Sequence, residues 1–131
     1  MTFEDAIAAL GEEFGVELSA EDGTASFEVS SDGGDFEPVN FTIAYEPEGE
    51  MLLVSADAGE VDLGSGDEPL LKMLEANHMF SGTEGASFSL DGGRAKLERL
   101  ISLVAFCREG GKSILMSLFR SVQAWRKENK T

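Results

Sequence analysis

The chain predicts an α+β domain of element order α-β-β-β-α-β-β-α, an antiparallel sheet packed by helices. Three observations lead there. Apolar residues recur at helical spacing near the start, around residue 70 and at the end. Between these segments lie stretches that alternate apolar and polar residues. The alternating stretches are grouped between the helices and joined by short Gly, Pro and Asp turns. With 131 residues and no internal repeat or linker, residues 1–131 read as one domain.

The first helix spans Phe3 to Phe14, with Phe3, Ile7, Leu10 and Phe14 on one stripe and Ala6 beside them. Thr2 is placed to cap it, Glu4 and Asp5 suit the dipole of its first turn, and Gly15 is a stop. Three strands follow. Ala25, Phe27 and Val29 alternate with polar neighbours, and Ser31 to Asp35 (SDGGD) reads as a turn. Val39, Phe41, Ile43 and Tyr45 mark a half-buried strand, and Glu46 to Glu50 makes a hairpin around Pro47 and Gly49. The strand from Met51 to Ala58 breaks the alternation. Leu52, Val54 and Ala56 face one side while Met51 and Leu53 face the other, which requires a cover on the second face, in cis or in trans.

After a loop over Gly59 to Gly66, Asp67 or Ser65 caps a second helix with Pro69 in its first turn. Wound at about 100° per residue, Leu70, Leu71, Met73 and Leu74 fill an arc of roughly 160°. His78 falls inside this arc and Asn77 near its centre. Such a width serves a core and an interface together. Ala86, Phe88 and Leu90 then alternate up to Asp91-Gly92-Gly93, a hairpin signal. The returning strand runs from Arg94 to Leu103, where Arg99 and Leu100 invert the pattern, as at a bulge or a surface facing a partner. The last helix runs from about Gly111 to Lys127, with Ile114, Leu115, Leu118, Phe119, Val122 and Trp125 on one stripe.

Composition narrows the function classes. Apolar residues form 42% of the chain, which excludes disorder despite the charge. The net charge is −15, with 19 acids and no base before Lys72, then 6 acids and 10 bases. That balance repels nucleic acid and anionic lipid and favours basic partners. The acidic N-terminus lacks the pattern of a signal peptide, no apolar run is long enough to insert in a membrane, and the lone Cys107 fits a reducing compartment. The expected place is the cytoplasm.

No catalytic or metal-binding constellation emerges, and no cofactor is expected. Gly110-Gly111-Lys112-Ser113 matches only the end of a phosphate-binding loop, since Phe106 stands where its first glycine belongs. One histidine and one cysteine cannot make a zinc site, and a nucleophilic pair of Cys107 with His78 lacks an orienting third group. The acids of the Gly59 to Glu68 loop lack the alternate spacing of a calcium loop.

The segment from Leu70 to Leu103 carries a resemblance. Leu70, Leu71, Leu74 and Asn77 on a helix lead to Gly82, Thr83, Gly85 and Ala86 at a turn, then to the Asp91-Gly92 hairpin. This series is similar to the signature region of the class I type III secretion chaperones, the Tir-chaperone (CesT) family. The resemblance implies a homodimer in a bacterial cytoplasm that binds the N-terminal segment of a secreted effector without ATP. The segment would be held extended and export-competent, by main-chain pairing at sheet edges and apolar grooves. It also implies a dimer interface on the second helix and neighbouring hairpin, at Leu70, Leu71, Leu74, Met79, Phe80 and Phe88. Effector-binding candidates are Met51, Leu53 and Leu100, apolar residues on otherwise polar faces. The apolar stretch Ser102 to Gly111 departs from the polar link expected there. Competing readings are a nucleic-acid mimic, disfavoured because the acids cluster in turns, a small enzyme, and a regulatory or adaptor protein on the same fold.

Overall fold

The computed structural model describes residues 2–30, 37–62, 64, 66–78 and 86–128. Its elements are α1 (Phe3–Phe14), β1 (Thr24–Val29), β2 (Val39–Glu46), β3 (Met51–Glu60), α2 (Glu68–Asn77), β4 (Ser87–Asp91), β5 (Arg94–Ser102), α3 (Leu103–Glu109) and α4 (Gly111–Glu128). The strands form one antiparallel sheet of order β1-β2-β3-β5-β4. The predicted order thus holds, with one helix added. The predicted turn at Ser31 to Asp35 lies outside the described residues.

Local chemistry sets these boundaries. The Thr2 hydroxyl accepts from the Asp5 N–H at 3.1 Å and the Asp5 carboxylate accepts from the Thr2 N–H at 3.3 Å, a reciprocal cap on α1. Gly15 ends that helix at φ 73°, a left-handed conformation that suits glycine. Gly92 and Gly93, both at positive φ, make the two-residue turn between β4 and β5. Asp67 occupies the cap position of α2, but its carboxylate makes no capping hydrogen bond.

The added helix corrects the expected path of residues 102–111. β5 stops at Ser102, whose hydroxyl accepts from the Ala105 N–H at 3.1 Å and so starts α3. Leu103 and Phe106, three apart, are both buried, which accounts for the apolar stretch there. Gly110 separates α3 from α4. At Gly111, a Cβ would come within 2.7 Å of the Phe106 ring and 2.9 Å of Leu10. The Gly-Gly pair is a tight helix junction, not a phosphate cradle.

The core lies on one sheet face. Ala25, Val29, Val39, Phe41, Ile43, Leu52, Val54, Ala56, Ala95, Leu97 and Ile101 turn inward. They meet the stripes of α1 (Phe3, Ile7, Leu10) and α4 (Ile114, Leu115, Leu118, Val122). Phe3 stacks on Tyr45 at 5.1 Å. Arg126 of α4 clamps the sheet by donating to the carbonyls of Glu37, Pro38 and Asp57 at 3.1–3.3 Å. Of the two readings of Arg99 and Leu100, a bulge or a surface facing a partner, the bulge is not there: pairing is regular at Leu100, and register shifts instead between Asp57 and Gly59 of β3, opposite Lys96 and Ala95. Arg99 keeps its inward place because its guanidinium reaches the Glu109 carboxylate at 3.2 Å, at the end of α3.

Candidate interaction surfaces

The other sheet face stays open at Ser26, Glu28, Asn40, Thr42, Leu53 and Leu100. Strand register sorts its side chains into rows that cross the strands. Thr24, Ala44, Leu53 and Leu100 are consecutive cross-strand partners and form a largely apolar row. Met51 stands two residues from Leu53 on the same face, paired with Glu46 and Ser102. The next row is polar: Ser26, Thr42, Ser55, Glu98 and Ser87. Leu53 is 38% and Leu100 66% exposed, and Met51 is half-buried. The second face of β3, which the sequence required something to cover, is therefore left uncovered by the described residues.

The far end of this face is charged. Asp57 takes Arg94 Nε at 3.0 Å and lies 3.6 Å from Lys96 Nζ, and it accepts the Gly59 N–H at 2.8 Å. Burial pushes the Asp57 carboxyl up, but the hydrogen bonds from Arg94 and Gly59 and the two cations outweigh it, leaving its pKa below the ordinary value. A carboxylate depressed in the folded state stabilises above its unfolded pKa, and that contribution is lost as pH falls through the folded one. Between pH 5 and pH 2, the melting temperature of Asp57→Asn is expected to change less than that of the native chain. Parallel melting curves across that window would remove this role from Asp57.

The apolar arc of α2 divides. Met73 is buried and Leu70 half-buried, while Leu71 (56%), Leu74 (65%) and His78 are exposed. At 100° per residue the first two lie on one side of the arc and the last three on the other. The helix therefore spends one half of its arc on its own domain and presents the other half outward. Asn77 fixes it in place. Its amide oxygen accepts the Phe88 N–H at 2.6 Å and its amide nitrogen donates to the Phe88 carbonyl at 3.0 Å, the two bonds a neighbouring strand would make. Removing that amide leaves two main-chain groups of β4 to find new partners, at a cost of about 1–3 kcal/mol. Asn77→Ala is expected to lower thermal stability accordingly and to speed hydrogen exchange at the Phe88 amide. Unchanged exchange there would mean that the pairing does not hold α2 in solution.

Of the six residues expected at a dimer seam, Leu71 and Leu74 face outward and Leu70 is half-buried. Phe88 is 8% exposed, its ring 4.7 Å from Trp125. Met79 and Phe80 lie outside the described residues, as do Gly82, Thr83 and Gly85. Of the three groove candidates, Leu53 and Leu100 are cross-strand neighbours and Met51 adjoins them.

Sequence reasoning missed the edge of β1. Thr24 uses both main-chain groups on Glu21, at 2.8 and 3.0 Å, so they point away from β2. Antiparallel alternation turns Ser26 and Glu28 the same way. Their N–H and C=O groups line the outer edge of the sheet. Among the described residues there is no group of side chains fit to hold a metal ion and no buried side-chain polar atom without a partner.

The model of the Tir chaperone protein (CesT) family matches residues 5–126. The chain belongs to that family. Solved structures agree on the fold. A chain of the ExsC–ExsE complex matches with a TM-score of 0.72 at 19% identity, over 97% of this chain and 96% of that one. A chain of the HopA1–SchA chaperone–effector complex matches with a TM-score of 0.74 at 16% identity, over 95% and 93%. The Yersinia pestis type III secretion chaperone SycH, solved with a fragment of YscM2, matches with a TM-score of 0.67 at 18% identity, over 92% and 97%. Among curated proteins, none matches the chain in sequence. No helix among the described residues is long and apolar enough to cross a membrane.

Proposed function

We propose that this CesT-family chain is a non-enzymatic chaperone of type III secretion, acting in the bacterial cytoplasm. It works as a homodimer, with residues 1–131 as one domain, and holds the N-terminal segment of a secreted effector in an export-competent form without ATP. The observation that carries this reading is apolar surface in two places that the domain does not use for itself: the outer strip of α2 and the row around Leu53 and Leu100. A second copy covers the first, through Leu70, Leu71 and Leu74 together with Met79 and Phe80 of the following segment, while Phe88, enclosed against Trp125, stays inside the protomer. The effector covers the second, at Met51, Leu53 and Leu100. The β1 edge adds main-chain pairing for an extended segment. A solved chaperone–effector complex contains a chain of this fold, which supports the chaperone reading.

The test is co-expression with a secreted protein encoded beside this chain. The two are expected to co-purify, and deletion of the client's N-terminal segment should abolish the complex while added ATP leaves it intact. A complex that survives the deletion would refute the mechanism.

A further inference from the structure

We infer that the open sheet face selects a client segment in which bulky apolar residues stand between two cations, about six residues apart in extended form. The inference rests on the chaperone reading above and assigns the chemistry of its client.

The apolar pad is small. Its row runs perpendicular to the strands, through Ala44, Leu53 and Leu100, with Met51 beside Leu53. Neighbouring strands are about 4.8 Å apart, so these residues seat one or two side chains of a bound segment. Ala44 is the low point, next to Leu53, where a large side chain can lie flat against the sheet.

Two carboxylates bound the pad on opposite sides. Glu46 is two residues beyond Ala44 on β2, and its carboxylate is turned by the Glu48 N–H at 2.6 Å. Glu98 is two residues before Leu100 on β5 and accepts from the Ser89 hydroxyl at 2.5 Å. Glu48 and Glu50, both exposed in the hairpin, add to the charge on the Glu46 side. The cations of this face lie farther along it and are already matched: Lys96 and Arg94 are held by Asp57, with Glu60 at 3.8 Å from Arg94. The rim that a ligand meets is thus anionic on both sides.

Register sets the spacing. Glu46 and Glu98 are two strands apart, about 10 Å, and four residues apart along the strands, about 14 Å. The diagonal is roughly 17 Å, about five residues of extended chain, and because only alternate side chains face the sheet the two cations that meet it stand about six residues apart. A lysine or arginine at each end of such a run meets a carboxylate while the residues between them rest on Leu53 and Leu100. A sequence with acids in those places would be turned away by the same rim.

The test uses two eleven-residue peptides with leucines at positions 5 and 7, one with lysines at positions 3 and 9 and the other with glutamates there. Binding is measured by fluorescence anisotropy on the intact chain. The lysine peptide is expected to bind at least tenfold more tightly. Leu53→Ser with Leu100→Ser, at exposed positions, should weaken it at least tenfold with an unchanged circular dichroism spectrum. Glu46→Gln with Glu98→Gln should weaken it about fivefold and flatten its salt dependence. Equal binding of the two peptides overturns the inference, as does binding indifferent to both double variants. If the leucine variant instead turns a dimer into a monomer, the face belongs to a second copy and the inference also fails. A client that co-purifies with the native chain and equally with Leu53→Ser, Leu100→Ser would leave the chaperone reading standing without this one. Failure of any client to co-purify would remove the reading itself.

Discussion

Aspartate at both Leu71 and Leu74 is expected to turn the proposed dimer into a folded monomer. Both side chains are more than half exposed on a helix whose other side is anchored by Met73 and Asn77, so the domain itself loses little. A twofold interface uses each residue twice. Four leucine side chains, each worth about 1.5–3 kcal/mol when fully covered and already partly covered in the monomer, contribute about 4–6 kcal/mol together. At about 1.4 kcal/mol per tenfold, that weakens the dimer by roughly three to four orders of magnitude, and desolvating four carboxylates adds to it. Sedimentation at micromolar concentration should show the shift in mass, with an unchanged circular dichroism spectrum. A double variant that remains dimeric places the seam elsewhere. A native chain that is monomeric at the same concentration removes the dimer from the proposed function.

Much of this arrangement could be read from spacing, because spacing is what buries side chains. The alternation in β2 and the helical stripe of α4 became inward faces, and Met51 and Leu53 were legible as apolar residues on a second face. Other features depend on partners distant in sequence. Leu53 gains its meaning from Leu100, across the β3–β5 pairing, and nothing local announces that register. The bulge farther along the same pairing sits at Asp57 to Gly59, where the sequence shows only Asp-Ala-Gly. The third helix was hidden because seven residues are too few for a periodic signal, and its cap, Ser102, also ends a strand. Asn77 was visible as a polar residue near the centre of an apolar arc. Its task, to stand in for a missing strand at Phe88, required the fold.

Phe88 separates the inside of the protomer from the proposed seam. The resemblance puts it at the dimer interface, yet its ring is almost fully enclosed, paired with Leu97 in register and packed against Trp125. Its backbone is also the point that Asn77 holds. Truncation to alanine would empty the space between β4 and the end of α4, and buried Phe→Ala changes cost about 3–5 kcal/mol. For a domain of this size that corresponds to a fall of about 10–20 °C in melting temperature. The dependence on protein concentration decides where the side chain acts. Stabilisation by a second copy follows mass action, so a seam residue would change how steeply melting temperature rises with concentration. A residue of the protomer's own core lowers the whole curve and leaves its slope alone. Phe88→Ala is expected to do the latter, and Phe88→Leu, which keeps most of the volume, should recover more than half of the loss. A changed slope with little loss at high concentration would return Phe88 to the interface.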